Sequence, residues 1–174
     1  MSKKVNDSKA EELKVKVLEA QKNSDIASLY ILEQEAHETF DEATLQGFYA
    51  NILDLALEKL TDTLESHRQM DMSEVQDFAT TRALYEYAME HYSAGQTQDA
   101  SALFEVLSGM TNDTKFAWSL KLHWLASAQN ITLDDFMSNM ADIEVTQANK
   151  TFYISGFTKE AQKLLDNAQQ KESK

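Results

Sequence analysis

The sequence predicts an all-α protein, and three observations support this fold class. Proline, which interrupts helices, is absent from all 174 residues, although it averages about 5% of protein sequences. Glycine occurs only four times. Apolar residues recur at spacings of three and four, the period of an amphipathic helix, along most of the chain. The expected architecture is therefore a set of antiparallel helical hairpins.

The first 70 residues contain three amphipathic stretches. The first runs from Ala10 to Gln21, and the second begins at Ile26 after Asp25, a residue type that caps helices. Asp41 can cap a third, longer helix that continues to about residue 67. Its apolar stripe contains Leu45, Phe48, Tyr49, Ile52, Leu53, Ala56, Leu60 and Leu64. An N-terminal domain is predicted over residues 1–70, packed on the rest of the chain or, alternatively, on a second copy in a homodimer.

A second domain is predicted over residues 71–174. The segment around residue 70 has no apolar stripe, and Asp71 followed by Glu74 is typical of a capping box that starts the next helix. Periodicity predicts helices at about residues 74–94, 97–109, 114–129, 133–141, 144–155 and 158–170. Gly95, Gly109 and Gly156 fall at or near helix ends, where a residue with positive φ is often needed.

The second domain contains an internal repeat. Residues 92–107, YSAGQTQDASALFEVL, align without a gap with residues 153–168, YISGFTKEAQKLLDNA. The identical positions pair Tyr92 with Tyr153, Gly95 with Gly156, Thr97 with Thr158, Ala100 with Ala161 and Leu103 with Leu164. The pattern predicts a helical hairpin used at least twice, in which the glycine reverses the chain and the threonine caps the helix that follows.

These residues resemble the tetratricopeptide repeat, a 34-residue helical hairpin with the signature W-x2-L-G-x2-Y, then A-x3-F, then P. The stretch Leu84–His91 takes the place of the first part, Ala100 and Phe104 that of the second, and Asn112 stands where proline would be. The resemblance implies a right-handed solenoid of three hairpins over residues 81–170, with a shortened middle repeat and extra N-terminal helices.

A closer resemblance is to the tetratricopeptide class of type III secretion chaperones, which hold translocator proteins before export. That class has Leu-Tyr-x2-Ala, Tyr-x2-Gly and Ala-x3-Phe-x2-Leu stretches. They match Leu84, Tyr85, Ala88, Tyr92, Gly95, Ala100, Phe104 and Leu107. The resemblance covers about half of the chain. The class usually has a short N-terminal arm, whereas about 70 residues of amphipathic helix precede the repeats here.

In such a solenoid the first helix of each hairpin faces a concave groove. The resemblance places these residues in it: Arg82, Tyr85, Met89, Tyr92 and Ser93 from the first repeat, and Phe116, Ser119, His123, Ala126 and Ser127 from the second. A groove of this composition is apolar with aromatic edges and suits an extended segment or a short helix of a client protein. The alternative is that Tyr85, Met89 and Tyr92 are core residues of a helix bundle.

Charge and composition limit the classes of partner. A formal net charge of −13, with no basic run longer than Lys3-Lys4, disfavours nucleic acid and favours a basic partner or one held by apolar contacts. No apolar run approaches the ~20 residues that span a bilayer, and the N-terminus lacks a secretory signal. We therefore expect a cytoplasmic protein without membrane insertion. Cysteine is absent, which excludes disulfides and thiolate metal sites.

Catalytic, cofactor and metal sites are not expected. The four histidines lie outside the spacings that place two metal ligands on one helix face, and the glycines are too scattered for a phosphate-binding loop. No serine has the context of a nucleophile elbow. The sequence predicts a non-catalytic, protein-binding chaperone or adaptor. A small helical regulatory or assembly protein acting through its outer surface is the alternative, and an enzyme with a site invisible in sequence comes third.

Overall fold

A computed structural model of the chain describes residues 2–173. These residues form ten α-helices and one π-helical segment, and no β-strand occurs among them. The α-helices, numbered α1 to α10 in chain order, span Ser2–Lys22, Ile26–Ile31, Glu33–Thr39, Glu42–Glu65, Val75–Ser93, Thr97–Met110, Thr114–Ala128, Leu133–Asp135, Ile143–Asn149 and Lys159–Glu172. The π-helical segment, Phe136–Met140, directly follows α8. The predicted all-α fold class is confirmed.

Two predicted helix starts are confirmed by their capping hydrogen bonds. At the start of α2 the Ser28 N–H donates to Asp25 Oδ1 at 3.0 Å. At the start of α4 the Thr44 N–H donates to Asp41 Oδ1 at 2.8 Å. Each bond satisfies an N–H group that has no partner inside its own helix. Local sequence therefore determines where these two helices begin.

The chain forms two compact units. The first contains the residues up to Arg68 together with Ser73–Ala83, and the second contains Gln69–Met72 and the chain from Leu84 onward. The N-terminal half of α5 belongs to the first unit and its C-terminal half to the second. The predicted domain limit at residue 70 lies in the connection between α4 and α5. A right-handed solenoid over residues 81–170 stays a prediction.

In the first unit, α1 packs on α2 and α3, and α2 packs on α4. The apolar residues of these helices that are buried are Leu13, Val17, Ala20, Ile26, Leu29, Ala36, Phe48, Ile52 and Ala56. Polar contacts attach the N-terminal half of α5, since Lys59 Nζ lies 3.0 Å from Asp77 Oδ1 and Gln76 Nε2 donates to Asp25 Oδ1 at 2.5 Å.

In the second unit, α6 and α7 form an antiparallel hairpin. Thr97 at the start of α6 donates to Asn130, just beyond the end of α7, at 2.9 Å, and Ser101 Oγ lies 3.5 Å from the Trp124 carbonyl oxygen. Helix α10 packs on α7 and on the π-helical segment. Gly95 has a φ of 81° and turns the chain between α5 and α6, as predicted. The N-cap of α6 is Gln96, so the predicted cap at Thr97 is wrong.

The predicted second copy of the hairpin is wrong in its first helix. The helix predicted over residues 144–155 ends at Asn149, because Lys150 adopts a left-handed conformation with a φ of 56°. Tyr153 therefore lies in the irregular segment between α9 and α10, residues 150–158. Its partner in the repeat, Tyr92, lies in the last turn of α5. Only α10, the second helix of that hairpin, forms as the repeat predicts.

The other two glycines predicted at or near helix ends differ from Gly95. Gly109 lies inside α6 rather than beyond its end. Gly156 lies outside the helices, and the reason for a glycine there is space. A Cβ at this position would lie 2.6 Å from the Asp142 carbonyl oxygen and 2.6 Å from Val145 Cβ. The shared glycine therefore reverses the chain at one position and permits close packing at the other.

Candidate functional site

Seven of the ten residues predicted to line the groove are buried in the second unit. None of them exposes more than 4% of its surface: Tyr85, Tyr92, Phe116, Ser119, His123, Ala126 and Ser127. In this structure they contact their own unit rather than solvent. Their burial is what the alternative of a helix-bundle core requires.

The other three predicted residues lie in different surroundings. Arg82 belongs to the first unit, where its guanidinium lies 3.1 Å from Glu33 Oε2 and stands 4.0 Å above the ring of Tyr30. Met89 is partly buried and Ser93 is exposed. The predicted set is thus divided between the two units and between buried and exposed positions.

Tyr85 and His123 form a buried hydrogen-bonded pair. His123 Nδ1 lies 2.7 Å from the Ser119 carbonyl oxygen, which can only accept, so Nδ1 carries the proton. His123 Nε2 then accepts from the Tyr85 hydroxyl at 2.8 Å. The Tyr85 oxygen in turn accepts from the Ile154 N–H at 3.1 Å. One hydroxyl therefore connects α5, α7 and the irregular segment before α10.

The irregular segment covers the side chains that the resemblance leaves open to a client. The rings of Phe152 and Tyr153 lie 5.9 and 6.3 Å from the ring of Tyr85, and both contact Phe116, at 5.5 and 4.4 Å. Because this segment was predicted as helix, its position over Tyr85 could not be anticipated. The chain itself occupies that part of the predicted groove.

Burial determines the protonation of this pair. Desolvation lowers the pKa of His123 to about 4, although the hydrogen bond to the Ser119 carbonyl opposes the shift. Desolvation also raises the pKa of Tyr85 far above its ordinary value. Both groups are uncharged at neutral pH, so the hydrogen bonds join neutral partners in an apolar interior.

A cleft of about 550 Å³ opens beside this cluster. We call it the α7 cleft. One wall is the N-terminal half of α7, and the other is formed by the end of α9 and the irregular segment. Its lining residues are Thr114, Lys115, Trp118, Ser119, Asn149, Thr151, Tyr153 and Ser155. Ser119 is the predicted site residue that the cleft contains.

Hydrogen bonds hold the second wall of the α7 cleft in place. Thr151 Oγ1 donates to the Tyr153 carbonyl at 2.7 Å and lies 2.7 Å from Ser155 Oγ, which also accepts from Asn149 Nδ2 at 3.0 Å. Behind them, Thr146 Oγ1 accepts from the backbone N–H of Ser155 at 3.1 Å. The wall is therefore preorganised although most of it lies outside regular secondary structure.

The first wall presents an aromatic side chain and a cation. Trp118 exposes 40% of its surface and packs edge-on against Phe157, with ring centroids 5.5 Å apart. Within the described residues its indole N–H makes no hydrogen bond, and Lys115 makes no ion pair. The α7 cleft thus combines an apolar anchor with a donor, a cation and, opposite, hydroxyl and amide groups.

Sequence reasoning did not predict Asn149, Thr151 and Ser155 as site residues. On one continuous α-helix, Asn149 and Ser155 would lie more than one turn apart, too far for their side chains to form a hydrogen bond. The left-handed Lys150 brings them within hydrogen-bonding distance instead.

Across residues 2–173, no three His, Asp or Glu side chains converge on a point that could hold a metal ion. Within that range, no helix has both the length and the apolar character needed to cross a membrane.

Comparison of the chain with protein-family models, with curated proteins and with solved structures returned no match.

Proposed function

We propose that this protein is a non-catalytic protein-binding module, a chaperone or adaptor that holds an extended segment of a client protein in the α7 cleft. The observation that carries the proposal is the exposed Trp118 facing a wall of hydroxyl and amide groups. An indole supplies apolar area at low conformational cost, and Trp is enriched among residues that dominate binding energy.

The opposite wall suits the main chain of a peptide. An extended segment that joins no sheet leaves its N–H and C=O groups unpaired, so it requires donors and acceptors along its path. Asn149 has an amide oxygen and a second amide hydrogen beyond its bond to Ser155, and Lys115 can donate to a carbonyl or a carboxylate. The volume of about 550 Å³ lies within the range of about 300–1,000 Å³ typical of ligand sites.

The charge distribution favours a peptide over a polyanion. Among residues 2–173, Lys115 is the one basic residue that lines the α7 cleft, and the whole chain carries a net charge of −13. A phosphate backbone requires several basic groups to bind against such a background. A client segment that packs an apolar side chain against Trp118 does not require several basic groups in order to bind.

The resemblance to type III secretion chaperones supports a narrower version of this proposal. In that version the protein is a cytoplasmic chaperone that shields an apolar segment of a translocator-like client before export. Its support is the pattern over residues 84–107, and the negative surface would keep the complex soluble. In this version the client binds in the α7 cleft. The resemblance instead implies binding at the residues around Tyr85, which are buried.

The burial of Tyr85 and Tyr92 decides the design of the test. Replacing both with alanine would empty the core, and the loss of binding would then report unfolding. Trp118→Ala and Asn149→Ala alter the α7 cleft itself. Val106→Ala is the matched control, because Val106 is 38% exposed on α6 of the same unit, outside the α7 cleft.

The test is selection of a phage-displayed library of random peptides on the full chain, followed by titration of synthetic copies of the selected peptides. We expect selected peptides to share an apolar position and to lose about 30-fold in affinity with Trp118→Ala, which corresponds to about 2 kcal/mol for a binding hot spot. Asn149→Ala should weaken binding as well, and Val106→Ala should leave it unchanged. Equal affinity for all four proteins, or no selected peptide, would refute the proposal.

A further inference from the structure

An apolar groove crosses the outside of the first unit. We call it the α1–α4 groove. It has a volume of about 270 Å³ and is lined by Lys14, Val17, Leu18 and Gln21 of α1, by Phe40, and by Thr44, Gly47 and Phe48 of α4. The rings of Phe40 and Phe48, 6.5 Å apart in an edge-on arrangement, form part of its floor. This second apolar surface shares no lining residue with the α7 cleft.

Gly47 on the groove has no explanation inside the unit. It lies within the first two turns of α4, where alanine would be a better helix former, and its φ is not positive. A Cβ built on it has no atom within 4 Å, so no internal contact requires its absence. A glycine at such a position is explained by a close approach from outside the chain.

The other edge of the groove exposes apolar side chains. Helix α1 buries Leu13 and Val17, yet Val15 and Leu18 are 64% and 63% exposed. Helix α1 therefore has apolar residues on two faces, and only one of these faces is buried within the first unit. Leu18 therefore stands at the rim of the groove as an unpaired apolar side chain.

Charge points to a second copy of the chain as the occupant. Ser2–Lys22 contains six Lys and four acidic residues, a net charge of +2, while Glu42–Glu65 contains five acidic residues and one Lys, a net charge of −4. Two such pairs of helices related by a two-fold axis place each basic α1 beside an acidic α4. A two-fold interface uses the same patch on both molecules, so both edges of the groove take part.

We propose that the α1–α4 groove is the interface of a two-fold symmetric homodimer, in which Leu18 of each copy enters the groove of the other above Gly47. This proposal does not depend on the α7 cleft.

Sedimentation velocity and light scattering over a series of concentrations measure the oligomeric state of the full chain. The wild type is expected to be a dimer that dissociates on dilution. Gly47→Gln fills the groove with a residue that favours helix, so it should give a monomer whose circular-dichroism spectrum matches that of the wild type. Leu18→Gln should also give a monomer, through the loss of the apolar contact.

Gly109→Gln is the matched control, because Gly109 is likewise a helical glycine with no atom within 4 Å of a Cβ, on α6 of the second unit. It should remain a dimer. A wild type that is monomeric at its highest soluble concentration, or a Gly47→Gln variant that still dimerises, would overturn the proposal. Peptide binding by Trp118 should be the same in the Gly47→Gln monomer, so the two proposals can fail separately.

Discussion

Replacing Tyr85 with phenylalanine removes the one oxygen atom that joins α5, α7 and the irregular segment. The ring stays in place, so the packing against Phe104 and Phe116 is kept, while one buried and one partly buried group lose their partner. His123 Nε2 loses its donor and the Ile154 N–H loses its acceptor. The change therefore tests hydrogen bonding separately from core volume.

The expected cost follows from these two groups. A buried polar group left without a partner costs about 1–3 kcal/mol. Some relaxation around the cavity of a single oxygen atom is expected, so Tyr85→Phe should lower the free energy of unfolding by about 2–4 kcal/mol. That is a large part of the 5–15 kcal/mol that stabilises a typical domain.

Urea unfolding followed by circular dichroism measures this difference, and amide hydrogen exchange locates it. The Ile154 N–H should exchange faster in Tyr85→Phe, together with its neighbours in the wall of the α7 cleft. Tyr87→Phe is the matched control, because Tyr87 lies in the same helix and its hydroxyl makes no hydrogen bond within residues 2–173. If Tyr85→Phe costs no more than Tyr87→Phe, or leaves exchange at Ile154 unchanged, the role assigned to the hydroxyl is wrong.

Two further predictions concern the same region. The pKa of His123 is about 4 when folded and 6.5 when unfolded, so its neutral form contributes about 3 kcal/mol of stability at pH 7 that is lost as the pH falls from 6.5 to 4. Its ring resonances should accordingly stay constant from pH 8 to about 5.5 in an NMR titration, and a midpoint near 6.5 would contradict the buried placement. Gly156→Ala should destabilise the protein by about 2 kcal/mol or more and weaken peptide binding, because the new Cβ would overlap the Asp142 carbonyl. Denaturation of Gly156→Ala alongside Gly109→Ala measures this, and equal stabilities would refute it.

Regular local signals explain what could be predicted of the fold. The absence of proline, the helical period and the aspartate caps at Asp25 and Asp41 are properties of neighbouring residues, and the helices they predict in the first 65 residues are present. The turn at Gly95 was also predictable, because a positive φ favours glycine. These features do not depend on contacts between distant parts of the chain.

The α7 cleft was not predictable for the opposite reason. Its second wall depends on Lys150, where helix α9 ends without a glycine or proline to mark the position. Its shape then depends on contacts far apart in sequence, such as the hydrogen bond from the Ile154 N–H to Tyr85. The repeat pattern gave Tyr85 and Phe116 an inward face. It could not reveal that residues 152–154 would cover that face.

Binding of a client segment in the α7 cleft can be followed by NMR of the ¹⁵N-labelled chain during titration with a selected peptide. The Trp118 indole N–H and the Asn149 side-chain amide resonances should shift as the peptide saturates the cleft, while the Trp124 indole N–H should shift little. Saturable binding that leaves the Trp118 and Asn149 resonances unmoved would contradict binding in the α7 cleft.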